Sequence, residues 1–357
     1  MIPRSRDYRS HQDFLRHARQ YMQRPLYESV CRDYRGATAG SAAPADAAAA
    51  LRILDELPGF ALHGFLFRNL QRLKYSHGAH GILGALQPVR TQLEAQLAAA
   101  CADAGDRLRL NPALPLPEYY RIADFHQHAG GVSQDPLAGL IYEEARHTTV
   151  AAHADPNQIY RLLFDAVTQP GRRYDCVLDW GTGHGAGILT WARRDPHSEC
   201  HAVDLSAPCL QLAYLRSREA GVDVRFSQQD FEQLGFPGDF FDLIFHVFML
   251  HEIPAARMRA CLEEAYRVLR PGGIFAGKEL ALIAGEPYQN AIQIVEGRIN
   301  NEPYMEACFS YPFASVAREI GFRRIDIRPF QGLMDSVLQP SPGMPRKALW
   351  NLYVFEK

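Results

Sequence analysis

Asp175-Cys176-Val177-Leu178-Asp179-Trp180-Gly181-Thr182-Gly183-His184-Gly185-Ala186-Gly187 decides the fold of this 357-residue chain. Cys176 to Leu178 is a short apolar run with an acid at its C-terminal end, the pattern of a buried strand. Ile188-Leu189-Thr190-Trp191-Ala192 opens a helical pattern just beyond it. Between the two, glycines hold the alternate positions 181, 183, 185 and 187. Strand, glycine turn and helix in that order bring backbone close to a ligand at a helix N-terminus, where side chains would block the approach. The motif alone is ambiguous, because Gly181-x-Gly183-x-x-Ala186 also satisfies a dinucleotide fingerprint with alanine in third place.

The downstream segments break the tie. His201-Ala202-Val203-Asp204 reads as a second strand ending in an acid, where a ribose diol is held. Val224 to Gln228 is a third strand, followed by Asp230 and Phe231; Phe241 to His246 is a fourth; Arg270-Pro271-Gly272-Gly273-Ile274-Phe275 leads into a fifth. These five motifs, in this order, resemble the class I S-adenosylmethionine (SAM)-dependent methyltransferases over about Asp175 to Lys357, roughly half the chain. A nicotinamide enzyme explains only the first two. The resemblance implies an α/β fold: a Rossmann-like, seven-stranded sheet with helices on both faces. Arg324–Pro329 and Ala348–Phe355 are its two closing antiparallel strands, separated by a Pro/Gly-rich loop over Gln339–Pro345.

Composition bounds the rest. With 47% hydrophobic and 22% charged residues the chain is globular, and a net charge of −2 gives no basic footprint for nucleic acid. Seven cysteines without a CxxC pair read as reduced thiols of a cytoplasmic protein. The sequence has no apolar signal core and no run long enough for a membrane span, so no membrane partner is expected.

The first 110 residues carry helical periodicity and no strand pattern: 11–34 with an interruption at Pro25, helices around 51–73 broken at Pro58-Gly59, and a further helix from Pro88 to Ala104. They are expected to form a helical N-terminal domain, residues 1–110, serving as homodimer interface and substrate lid. The proline-spaced run 108–117 is the expected boundary to a methyltransferase domain over 111–357, with lid helices at 119–168 and a core at 174–357. His126 and His128 are metal ligands by type, but no third and fourth ligand stand at a recognisable spacing, so they read as surface or pocket-rim residues and no metal is expected.

By resemblance, Asp179 and Gly181 lie near the methionine end of SAM, and Gly183 and Gly185 flank its nucleoside. Asp204 takes the ribose hydroxyls beside Leu205, Asp230 and Phe231 meet the adenine, and His246 lines the methionine part. After the fourth strand, His246-Val247-Phe248-Met249-Leu250-His251-Glu252 replaces the Asn/Asp-Pro-Pro-aromatic of base methyltransferases and resembles small-molecule O-, C- and N-methyltransferases. His251 is the first candidate base, with Glu252 and Glu279 behind it. Tyr142, Arg146 and His147 on a lid helix, with Tyr288, Asn301 and Tyr304 in the insertion after the fifth strand, are the candidate substrate contacts. The expected activity is methyl transfer from SAM to an O, N or C atom of a small carboxylated or aromatic molecule such as a secondary metabolite, releasing S-adenosylhomocysteine. The alternatives are a protein or RNA methyltransferase, suggested by the arginines 4, 6, 9, 16, 19 and 24, and a SAM-binding protein without methyl transfer.

Overall fold

The computed structural model describes residues 2–78, 80–149, 155, 157–330 and 350–357. Its centre is an eight-stranded sheet in the order β1-β4-β3-β2-β5-β6-β8-β7. The strands are β1 (Leu108–Arg109), β2 (Cys176–Trp180), β3 (Glu199–Asp204), β4 (Arg225–Gln228), β5 (Phe241–Val247), β6 (Leu269–Leu280), β7 (Arg324–Pro329) and β8 (Trp350–Glu356). β1 to β6 run parallel, and β8 lies antiparallel between β6 and β7. The chain order reverses between β2 and β5, and the carboxyl ends of these strands therefore flank the crevice where open α/β sheets bind ligands.

All five residues of β2 are buried, as expected of a strand covered on both faces. One face carries α9 (Gln158–Val167), α10 (Ala186–Arg194) and α11 (Ala207–Ala220), joined to the sheet by Leu163, Phe164, Trp191, Leu210 and Phe245. The other carries α12 (Ala255–Val268) and α15 (Phe313–Ile320). Met258, Cys261, Leu262 and Ala265 recur at helical spacing on α12 and enter the core against Phe275 and Phe355.

The expected N-terminal domain is divided between two packing partners. α1 (Arg6–Tyr21) continues through a π-helical turn at Met22–Leu26 into α2 (Tyr27–Thr38), so Pro25 widens the helix without ending it. These helices, with α3 (Ala47–Leu54) and α4 (Pro58–Lys74), close their core around Ala291 and Ile292 of α13 (Pro287–Ile299), a helix from the catalytic half. α5 (Ile82–Leu86) and α6 (Arg90–Ala102) instead share a core with α8 (Ala138–Thr149) and Leu212 of α11. The connector departs from expectation as well. Leu108 and Arg109 pair with Phe226 and Ser227 as the sheet's edge strand, so the sheet has eight strands where seven were expected, and its first strand lies before the expected boundary at 110/111. The loop expected over Gln339–Pro345 lies outside the described residues, as do Val150 and Ala348. Among the described residues no helix is long and apolar enough to cross a membrane, and all seven cysteines are free.

Candidate active site

The glycine turn is built around two carboxylates. Gly181, Gly183 and Gly185 all have φ between 53° and 87°, backbone that L side chains rarely adopt. A Cβ added at Gly181 would lie 2.6 Å from Met249 Cγ, and one at Gly185 2.8 Å from Ala213 Cβ. Asp179, at the end of β2, accepts from Thr182 Oγ1 at 2.8 Å and from the Ile188 amide at 3.0 Å, pinning the turn to the first residues of α10. Burial pushes its carboxyl up to about 7 against those two hydrogen bonds. Asp204, at the end of β3, accepts the Gly183 amide on one oxygen and the Ser206 amide on the other, both at 2.8 Å. Each oxygen keeps a lone-pair direction for a ligand donor. Ser206, not Asp204, caps α11, its hydroxyl accepting from the Cys209 amide at 3.1 Å. Leu205 is buried and its carbonyl accepts from Gln228 Nε2.

A short helix, α7 (Glu118–Arg121), and α8 border this turn. The Tyr142 ring lies across Gly183, with His126 and His184 as aromatic neighbours. Arg146 Nη1 meets His184 Nε2 at 2.6 Å, while His147 is exposed. The hydroxyls of Tyr119 and Tyr120 are buried without a hydrogen-bond partner among the described residues. Tyr120 lies within electrostatic range of Asp204 and Glu252, and Tyr119 of Asp230. Phe231 packs edge-on to Trp180, and the Asp230 carboxylate accepts the Glu232 amide at the cleft margin.

Beyond β5 the chain places the catalytic candidates together. Glu279 of β6 is fully buried and accepts three hydrogen bonds: His251 Nδ1 at 2.5 Å and the Leu250 and Leu280 amides, each at 2.9 Å. The Nε2 of His251 therefore points away from Glu279. It lies 3.5 Å from Glu252 Oε1 and 3.9 Å from Glu302 Oε2. Burial opposes charge on His251, but the Glu279 charge and the hydrogen bonds to Glu252 and Glu279 hold its pKa well above the usual value. Burial would likewise raise the Glu279 pKa, and His251 outweighs it, leaving the carboxyl low. His126 completes the group, its Nε2 3.2 Å from Glu252 Oε1 and its Nδ1 donating to Glu302 Oε1 at 2.9 Å. Burial disfavours its charge, yet the bonds to Glu252 and Glu302 raise it to about 9. The second oxygens of Glu252 and Glu302 are buried without a hydrogen-bond partner among the described residues. Buried acceptors left open in this way are where a ligand donor fits.

The other candidates are dispersed. His246 does not open on the methionine side: it lies within β5, pressed on Gly277 between Trp180 and Phe275, and burial lowers it to about 4. Tyr288 of α13 packs edge-on to Tyr27 and tilted against Tyr34, in the helical cluster. Asn301, at φ 65°, donates to the Asp124 carbonyl, and Tyr304 packs on Tyr119. His126 is half-buried at the site, whereas His128, expected at the surface or pocket rim, is 1% exposed. Sequence reasoning missed Glu302 and His126 as members of the site; the dense run Asn300-Asn301-Glu302-Pro303-Tyr304 was the available signal. Among the described residues one trio has metal-ligand types in reach of one another, Cys176, Glu199 and His201, at the opposite strand ends, where Glu199 is already paired with Arg225.

Residues 177–273 match the family model described as a methyltransferase domain. A fatty-acid O-methyltransferase of Mycolicibacterium smegmatis is 31% identical over 145 residues, 41% of this chain and 49% of that protein. A malonyl-[acyl-carrier protein] O-methyltransferase of Salmonella typhimurium is 33% identical over 135 residues, 38% of this chain and 51% of that protein. The chain thus spans about half the length of these curated relatives. Among solved structures, geranyl diphosphate C-methyltransferase of Streptomyces coelicolor aligns with 60% of this chain and 80% of its own, at 16% identity and a TM-score of 0.43.

Proposed function

We infer that this chain, whose residues 177–273 form a class I S-adenosylmethionine-dependent methyltransferase domain, methylates a hydroxyl of a small-molecule acceptor. The residues present fit the cofactor. The open lone pairs of Asp204 suit a ribose diol, and the side-chain-free surface of Gly181, Gly183 and Gly185 suits close backbone approach. Tyr119, Tyr120 and Asp230 stand where a nucleoside would find donors and acceptors, and Tyr142 covers the turn. When bound, SAM supplies an electrophilic methyl on a sulfonium.

The observation that carries the choice of a hydroxyl is His251. Glu279 fixes its Nδ1 as a donor, which leaves Nε2, once deprotonated, as the proton acceptor at the mouth of β5. In-line transfer needs the acceptor oxygen held at the donor, and Nε2 would take the hydroxyl proton as the methyl–oxygen bond forms and the methyl–sulfur bond breaks, leaving S-adenosylhomocysteine. The resulting imidazolium is stabilised by Glu279, Glu252 and Glu302. Oxygen acceptors also accord with the names of both relatives, which denote O-methyltransferases.

The test is transfer from methyl-labelled SAM to a panel of hydroxyl, amine and carbon-acid acceptors, by the wild type and His251→Asn. Hydroxyl methylation that falls about 10²–10⁴-fold in the variant supports the reading. Transfer confined to amines, or a variant as active as wild type, refutes it. We further propose a cytoplasmic homodimer formed through α1 and α4, whose Phe14, Tyr21, Leu62 and Phe65 are large exposed apolar side chains. Sedimentation of wild type and Phe65→Asp checks the association.

A further inference from the structure

A second constellation lies behind Glu302, and the proton transfer makes no use of it. Lys74, in the last turn of α4, is 2% exposed, with its ammonium 4.9 Å from the centre of the Tyr75 ring. No hydrogen bond or ion pair joins it among the described residues. Arg19 of α1 sits over the Phe67 ring at 5.3 Å, its Nε buried without an acceptor among the described residues. The amide nitrogen of Gln12, two turns earlier on α1, is likewise buried without one. His128 is 1% exposed, stacked on Tyr75 at 5.0 Å between ring centres, and neither of its ring nitrogens has a hydrogen-bond partner among the described residues.

Burial holds the Lys74 ammonium well below its usual pKa, Arg19 adds to that and Glu302 opposes it, so Lys74 lies within range of both; Arg19 in turn lies within range of Glu296. Buried cations that repel one another and have lost their water need an anion to offset the cost. Among the described residues, three of the four side chains present a nitrogen donor without an acceptor, and the fourth, Lys74, presents three N–H groups. Glu302 connects this group to the reaction centre, with its Oε2 3.9 Å from His251 Nε2. Gln71, three residues before Lys74, reinforces the link through Asn300, which donates to Glu302.

We propose that Gln12, Arg19, Lys74 and His128 form an oxyanion subsite that holds a carboxylate or phosphate group of the methyl acceptor while its hydroxyl is presented to His251. The acceptor class is therefore a hydroxyl compound bearing an anionic group. This assignment rests on the reading of the cleft as a methyltransferase site.

The full chain is titrated with inorganic phosphate, with benzoate and with 4-hydroxybenzamide at constant ionic strength, following Tm and calorimetric heats. S-adenosylhomocysteine is titrated in parallel. At least one anion is expected to raise Tm where the neutral amide does not, and which of the two does so distinguishes a phosphate from a carboxylate ligand. Lys74→Met is expected to weaken that anion on the order of tenfold or more. It is also expected to raise Tm without ligand, because a buried unpaired charge is removed. Arg19→Gln provides the same reading of anion affinity should Lys74→Met fail to fold. The proposal is overturned by the absence of an anion-specific shift in wild type, by full anion affinity in both variants, or by a lower Tm for folded ligand-free Lys74→Met. Failure of S-adenosylhomocysteine to bind while the anion shift persists would instead remove the methyltransferase reading and leave the anion subsite standing.

Discussion

Replacing Glu279 by glutamine separates orientation of the base from every other property of the site. The carboxylate is fully buried and receives three donors, His251 Nδ1 and the amides of Leu250 and Leu280. Glutamine keeps the shape, but one of its two heads is an NH2 group and confronts at least one of those donors. With the NH2 toward His251, Nδ1 must become the acceptor, the ring proton moves to Nε2, and the base is lost. With the NH2 toward Leu250, two N–H groups face one another and a buried amide is left without an acceptor. That costs about 1–3 kcal/mol of stability, a fall of a few degrees in Tm for a chain of this size. The first arrangement removes the positioned base and lowers kcat by about 10²–10⁴. The second keeps Nδ1 as the donor but removes the charge that stabilises the imidazolium, so kcat falls there as well. Binding of S-adenosylhomocysteine is expected to survive, since Asp204 and the glycine turn make no contact with Glu279. The assay is single-turnover methyl transfer at saturating SAM, with calorimetry of the product nucleoside. A kcat within about threefold of wild type would refute the assignment of His251 as a base set by Glu279.

Glu302→Gln removes a carboxylate 3.9 Å from His251 Nε2, so the acid limb of the pH–rate profile is expected to move to lower pH, read from kcat between pH 5 and 9. An unmoved limb would mean that Glu302 does not act on the base. Asp179 has a folded-state pKa raised by burial to about 7, so wild type without ligand loses stability as pH rises from about 4 to 7 and then levels off. Asp179→Asn is expected to abolish that slope and to gain up to a few kcal/mol over wild type above pH 7, measured by urea denaturation; parallel profiles would count against the buried carboxyl. Gly185→Ala combines a φ of 87° with a Cβ placed 2.8 Å from that of Ala213. It is expected to lower Tm and weaken S-adenosylhomocysteine at least tenfold, where an ordinary helix-entry glycine would leave the affinity intact. Asp204→Asn retains the shape but not the charge, and is expected to weaken the same ligand by about 10- to 100-fold in calorimetry.

The sheet centre was legible because burial on both faces writes itself locally. Cys176–Trp180 and His201–Asp204 are apolar runs closed by acids, and the glycines that follow admit no other geometry. Ser206 and Gly221 mark the ends of α11 by their own chemistry. Leu108–Arg109 was illegible for the opposite reason. A two-residue edge strand has no period, and only the exposed margin of β4 recruits it. His251 and Glu279 were visible as types at strand ends, whereas their hydrogen bond depends on the neighbouring register of β5 and β6. Glu302 and His126 lie 176 positions apart in sequence, and no local pattern brings them to 2.9 Å. Tyr288 misled because its aromatic, amide-rich surroundings suit a pocket and a helix interface equally well.

The insertion of α13 among α1 to α4 imposes an order on biosynthesis. Ala291 and Ile292 complete a core whose other members, Met22 through Phe67, leave the ribosome more than 200 residues earlier. At about 5–20 residues per second, those helices wait on the order of 10–40 seconds for the segment that covers them. During that interval Val30, Leu54 and Phe60 have no lasting shelter, and the nascent chain presents them to chaperones or to other nascent chains. The amino-terminal helices are therefore among the first parts of the protein to be made and among the last to be finished.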